Sequence, residues 1–309
     1  MDEKRKKSWV FSLIFKNFPR YHCHFDPQLS PFSMLSLFLA IVCGALTSIV
    51  MRLSTSRAVS VYGMVAFNYL TCLSCAFALS PIGLGTTTEG FSTALMLGIV
   101  NGILYMTGML LMQQNIRTSG VILTTIFAKL GILIPLFLAI LCFHESPTWL
   151  QIVGIVLSLM GIVLIKANPN ERVTFHFSLL ILLLVTGSVA AVLKIYAEIG
   201  SPTHSNAFLL IAFSIAFLLA IVVALMKRER LGFNEVVWGL MLGLPNFFTS
   251  RFILDALESI PAVIVYPSRG VATILLVTLA GIALFKEYLN TRQWIALTLI
   301  LIALTLLNI

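Results

Sequence analysis

Apolar positions gather into ten runs, at about 34–53, 58–79, 92–113, 119–142, 148–166, 176–197, 205–226, 235–254, 260–284 and 291–308. Each is close to the ~20 residues that a helix needs to cross the hydrocarbon of a bilayer. Polar residues concentrate between the runs, in short links. The longest links are the Pro/Gly/Thr-rich 80–91 and the Asn/Pro-rich 167–175, and neither has room for a folded soluble domain. The pattern predicts an all-α integral membrane protein with ten transmembrane helices. Link 167–175 divides them into two five-helix halves, 34–166 and 176–309, behind a basic leader, 1–33. An odd number of spans per half forces the halves into opposite orientation, the inverted repeat common among secondary transporters.

The sequence also repeats itself. Phe143-x-Glu145 is followed by Gln151, Gly154 and Gly161; Phe285-x-Glu287 is followed by Gln293, Ala296 and Ala303, each displaced by 142 residues. Two copies in one register, each opening an apolar run, signal internal duplication. Ser146-Pro147 reads as a helix start, with Asn290 as the capping residue of the second copy. Glu145 and Glu287 then sit where the helix dipole favours an acid, as anchors at the membrane edge. Small residues at 154 and 161, and at 296 and 303, share one helix face and permit close packing.

Composition agrees. The chain is 59% hydrophobic and 10% charged with mean hydropathy +1.01, against roughly 45–50% and 25% for soluble domains. A net charge of +8 does not point to nucleic acid, because no basic patch coincides with a soluble module. The expected partners are the lipid bilayer and a small-molecule substrate, with the chain a monomer or homodimer in the plasma membrane. Five cysteines form no disulfide or metal framework: Cys72 and Cys75 lie inside an apolar run without further ligands, and His22-Cys23-His24 is equally thin. No cofactor is expected.

Charge placement gives two answers on orientation. Links after odd-numbered runs, taken with the run ends beside them, carry ten lysines and arginines, from Arg52 and Arg57 to Lys286 and Arg292, and links after even-numbered runs carry none outside the spans themselves. By the positive-inside rule the termini of the core then lie outside. The six cations of the leader argue the reverse, and a start at Met34 would remove the conflict. The leader itself reads either as an amphipathic segment on an anionic leaflet or as an upstream extension.

With its ten spans in two halves and the doubled Phe-x-Glu-x5-Gln stretch, the chain resembles the EamA-like branch of the drug/metabolite transporter superfamily over 34–309. That resemblance implies an inverted-repeat carrier whose central cavity is lined largely by helices 3, 4, 8 and 9. It implies no particular substrate. Ala296 stands where the motif usually has glycine, a departure that concerns packing.

Two cations stand deep in the spans: Lys129 in the fourth run and Arg269 in the ninth. The runs are partners under the repeat, so the two are expected at similar depth near the midplane. A charge there costs roughly 2.5–3.5 kcal/mol on insertion scales and needs a wet cavity or a partner. An anionic substrate would serve, and so would carbonyls or acids such as Glu198 and Asp255. Further candidates are Asn101 and Tyr105, four apart on one face, Asn246 beside Pro245, and Tyr266 beside Pro267. Lys194 and Arg251 are expected to snorkel, with Arg251 able to pair with Asp255.

These positive groups favour a carrier of an anionic or zwitterionic metabolite over a multidrug or cationic-compound exporter. A flippase for a lipid-linked anion shares the chemistry. Two buried cations would also suit a membrane enzyme acting on a phosphate- or carboxylate-bearing lipid, yet no G-x-S-x-G, H-E-x-x-H or phosphate-binding glycine loop occurs.

Overall fold

The computed structural model describes residues 31–55, 60–79, 88–119, 121–166, 177–228, 232–285 and 291–307, and among them there is helix and no strand. The helices are α1 (Pro31–Thr55), α2 (Val61–Ala78), α3 (Thr88–Ser119), α4a (Val121–Leu130), α4b (Leu133–Cys142), α5 (Trp149–Lys166), α6 (Phe177–Ile199), α7 (Ser205–Met226), α8 (Phe233–Leu257), α9 (Ala262–Phe285) and α10 (Thr291–Leu307). Among the described residues, six stretches are long and apolar enough to cross a membrane: Phe32–Met51, Gly90–Met112, Phe177–Ile199, Pro202–Met226, Phe233–Leu257 and Ala262–Gly281. Helices satisfy their own backbone hydrogen bonds, which is what a hydrocarbon environment demands. Residues 1–30 of the leader and link 167–175 lie outside the described residues, while residues 31–33 already belong to α1.

The fourth apolar run is interrupted, which its hydropathy did not predict. Pro135 has no N–H to offer the carbonyl of Gly131, four residues back, and its ring crowds that oxygen. Gly131 O instead accepts the N–H of Ile134 at 3.0 Å, and Lys129 O that of Ile132 at 3.3 Å. The interrupted turn rests against α6, where Thr186 Oγ1 also reaches Ala128 O at 3.3 Å. By contrast α8 and α9 run through Pro245 and Pro267 as single helices. A proline inside an apolar run could have interrupted the eighth helix at Pro245, but that helix is continuous from Phe233 to Leu257.

Large apolar side chains point outward, Phe77, Met96 and Phe233 among them, while the interior is rich in alanine, including Ala40, Ala139, Ala212, Ala216 and Ala256. Small residues let backbones approach where water supplies no hydrophobic drive. Gly239 and Gly243 of α8 lie on α2: a Cβ at 239 would meet Phe67 Cβ at 2.3 Å, and one at 243 would meet Thr71 Cβ at 2.5 Å. Gly98 and Gly102 of α3 lie likewise on α7, with Ala212 O 2.5 Å from a Cβ at 102. α8 also packs on α1, α3 on α6, α4 on α6, α9 on α1, and α5 on α10.

Candidate functional site

The centre of the bundle is built by α3, α8 and α9. Tyr105 of α3 stacks on Phe213, centroids 5.4 Å apart and planes 9° from parallel, and its Oη lies 3.0 Å from Ser250 Oγ of α8. Tyr69 Oη donates to the carbonyl of Tyr105 at 3.2 Å. One turn earlier, Asn101 is fully buried and neither of its amide atoms has a hydrogen-bond partner. From α9 comes Arg269, whose electrostatic neighbours are the phenols of Tyr266 and Tyr105. It lies deep in the bundle yet keeps part of its surface accessible, as Tyr105 does. Arg269 Nε has no hydrogen-bond partner, and Ser268 Oγ and Thr273 Oγ1 beside it have none either.

Guanidinium cannot lose its proton under ordinary conditions. Among the described residues no carboxylate is within ion-pair distance of Arg269. Buried polar groups are normally bonded, so this concentration of unmet donors and acceptors sets these residues apart from the rest of the described interior.

The other sequence candidates are distributed differently. Tyr266 Oη is committed to the carbonyl of Ala190 on α6 at 2.6 Å, a helix-to-helix bond. Asn246 turns toward α2, donating to Asn68 Oδ1 at 3.3 Å, while its carbonyl accepts from Ser250 Oγ at 3.4 Å. Lys129 is half-buried in the last turn of α4a, directly before the break at Gly131. Arg251 meets Asp255 at 3.1 Å and Asn206 Oδ1 at 2.7 Å. Lys194 does not snorkel: it is 2% exposed, because Glu145 and Glu198 supply its counter-charges inside the fold. Ser250, Tyr69 and Ser268 escaped the sequence reading, since isolated hydroxyls in apolar helices carry no spacing signal. Lys194 and Glu198, four apart, did carry one.

The repeated motif has an architectural role. Thr148, rather than Ser146, caps α5: Gln151 N–H donates to Thr148 Oγ1 at 3.3 Å and Thr148 N–H to Gln151 Oε1 at 3.0 Å, a reciprocal capping box. Gly154 faces α10, where a Cβ would stand 3.2 Å from Ala303 O. His144 adopts φ 55°, ending α4b and turning Glu145 away from α5. Glu145 therefore caps a different helix from the one it precedes, accepting the N–H groups of Ala262 and Val263 at the start of α9. In the second copy Phe285 ends α9 and Gln293 lies in the first turn of α10. Glu287 and Asn290 are outside the described residues.

The family profile of the EamA-like transporter family matches residues 31–167, from the start of α1 to the end of α5. The chain thus matches the EamA-like transporter family over a stretch just short of half its length. It is a multi-pass integral membrane protein of the transporter type, within the drug/metabolite transporter superfamily. The transporter is also 25% identical over 277 residues to an uncharacterized protein of Haemophilus influenzae, covering 85% of this chain and 94% of that one. A protein of known crystal structure shares its fold, with TM-score 0.66, 17% identity, and coverage of 89% of this chain and 95% of that one.

Proposed function

We propose that the transporter is a secondary carrier of a small anionic or zwitterionic metabolite. It works by alternating access at a midplane cavity between two inverted five-helix halves, 34–166 and 176–309. The observation that carries this reading is Arg269, a deep, partly accessible cation without a carboxylate partner among the described residues. A carboxylate or phosphate meets a guanidinium in bidentate geometry, the strong form of charge-assisted hydrogen bond. Asn101 and Tyr105 add neutral donors and acceptors for the rest of the solute, and Lys129, Asn246 and Tyr266 complete the proposed set around them.

The packing supports the inverted repeat. The seating of α8 on α2 through paired glycines has its counterpart in the seating of α3 on α7. Gly131 of α4 faces α6 as Thr273 of α9 faces Gly44 of α1, and 131 and 273 are separated by the same 142 residues as the motif.

A cationic substrate would call for a carboxylate facing the centre. The described acids stand near helix ends instead, where Glu145, Glu235 and Asp255 already have partners. A lipid-linked substrate would call for a lateral route. The groove of about 650 Å³ between α4b and α5, lined by Leu133, Phe137, Ile152 and Val156, contains no residue of the Arg269 surroundings.

The test is a thermal-shift screen of purified transporter against matched anionic, zwitterionic and cationic metabolites. A ligand of the folded state stabilises it by about 2.7 kcal/mol at a hundredfold excess over its dissociation constant. Stabilisation by anions or zwitterions is expected. Stabilisation by cations alone would overturn the proposal.

A further inference from the structure

The carboxylate of Glu145 joins three parts of the chain that are distant in sequence. Its Oε1 accepts the N–H of Ala262 at 3.1 Å and its Oε2 that of Val263 at 3.0 Å. These are first-turn amides of α9, which have no partner within their own helix and carry the positive end of its dipole. Oε1 also lies 2.6 Å from Lys194 Nζ on α6. Lys194 pairs in turn with Glu198 and stands 5.4 Å from the ring centre of Phe143. The corner between α4b and α5 thus holds both the start of α9 and the last turns of α6.

Depth along α9 connects this corner to the candidate site. Tyr266, one turn inward, ties α9 to α6 through Ala190 O. Arg269 follows within the next turn, about 10 Å from the capped amides at 1.5 Å rise per residue. The Glu145 cap and the Tyr266 bond thus both act on the helix that carries Arg269. At the same end of the bundle Asn206 of α7 donates to Leu79 O after α2 and accepts from Arg251 of α8. Polar clamps at this end cross between elements that an opening movement would have to separate.

We propose that Glu145 and Lys194 form the latch that closes the route to Arg269 from the 143–148 end, and that Glu145 is the positioning residue for Arg269. The inference rests on reading Arg269 as the substrate site. Closed, the latch is a buried ion pair with every Glu145 oxygen occupied. Open, Glu145, Lys194 and the α9 amides face water, which hydrates each of them. The element thus has two satisfied arrangements and an unfavourable path between them, as a gate requires.

The test uses the full chain with its native cysteines replaced by serine and a reporter, Ser268→Cys, next to Arg269. Sealed vesicles of both orientations are treated with a membrane-impermeant maleimide. Glu145→Gln is expected to raise labelling from the 143–148 face by about tenfold or more, the population shift of about 1.4 kcal/mol, and to lower it from the opposite face. Lys194→Gln, which leaves both cap bonds to α9 available, is expected to act in the same direction and serves if Glu145→Gln does not fold. Glu145→Asp is expected to restore part of the asymmetry. Unchanged labelling in the folded variants, or an equal rise from both faces, would overturn the latch. This readout needs no transported solute. Loss of the anion reading, seen as unaltered ligand stabilisation in Arg269→Gln, is therefore a separate result.

Discussion

Gly131 and Gly187 meet face to face where the interrupted fourth span crosses α6. A Cβ on Gly187 would stand 2.4 Å from Gly131 O, and one on Gly131 would stand 2.5 Å from Thr186 Oγ1. Neither position has space for a methyl group unless the helices part. Gly187→Ala is expected to destabilise the transporter by about 1–3 kcal/mol, the usual cost of overpacking a filled interior. The apparent unfolding temperature in detergent should fall, and a wild-type value would show that the contact is looser than described.

The capping box at the start of α5 gives a second expectation. Thr148→Ala removes the acceptor for the Gln151 amide and should cost about 0.5–2 kcal/mol, while Thr148→Ser should cost little. Because the two bonds are reciprocal, adding Gln151→Ala to Thr148→Ala should cost less than the two single changes together. A double-mutant cycle by chemical or thermal unfolding measures this. Strict additivity would mean that the two residues act independently.

Glu258, just beyond α8, supplies a pH dependence. Its side chain is exposed overall, but its carboxyl is partly desolvated by the surrounding protein. That desolvation, then the like charge of Asp255, raises its pKa against the pull of Arg251. The folded state therefore holds the proton at pH values where the unfolded chain has released it. Stability is thus expected to fall as pH rises from the ordinary carboxylate range through the raised value. Glu258→Gln should flatten this part of the stability profile. A slope of the opposite sign removed by the substitution would contradict the assignment.

The positions of the helices were legible because burial in lipid writes itself as long apolar runs, and the ends of α5, α7 and α10 fall within a few residues of those runs. The interruption at Gly131 was not, since hydropathy counts Pro135 as one more weakly polar residue and carries no record of the hydrogen bond it removes. Arg251 with Asp255 was readable from their spacing of four. Glu145 with Ala262 was not: the partners are 117 residues apart, and a carboxylate before one helix looks the same whether it caps that helix or another. Lys194 shows the same gap. Near a span end a lysine reads as snorkelling, and only the folded chain places Glu145 where the lysine can remain inside. At the centre, Arg269 and Tyr105 stood out as a rare charge and a polar group on a helical face. The hydroxyls of Ser250 and Ser268 became visible only through what they adjoin.

The central claim is that Arg269 receives the negative charge of the substrate. The direct measurement is ligand-induced thermal stabilisation of Arg269→Gln and Arg269→Lys against wild type, using the anion or zwitterion that stabilises the wild type most. A missing partner for a charged group costs about 1.5–3 kcal/mol, so affinity should fall at least about tenfold in Arg269→Gln. Arg269→Lys should retain part of it, because lysine keeps the charge without the planar fork. Wild-type stabilisation in a folded Arg269→Gln would contradict the account.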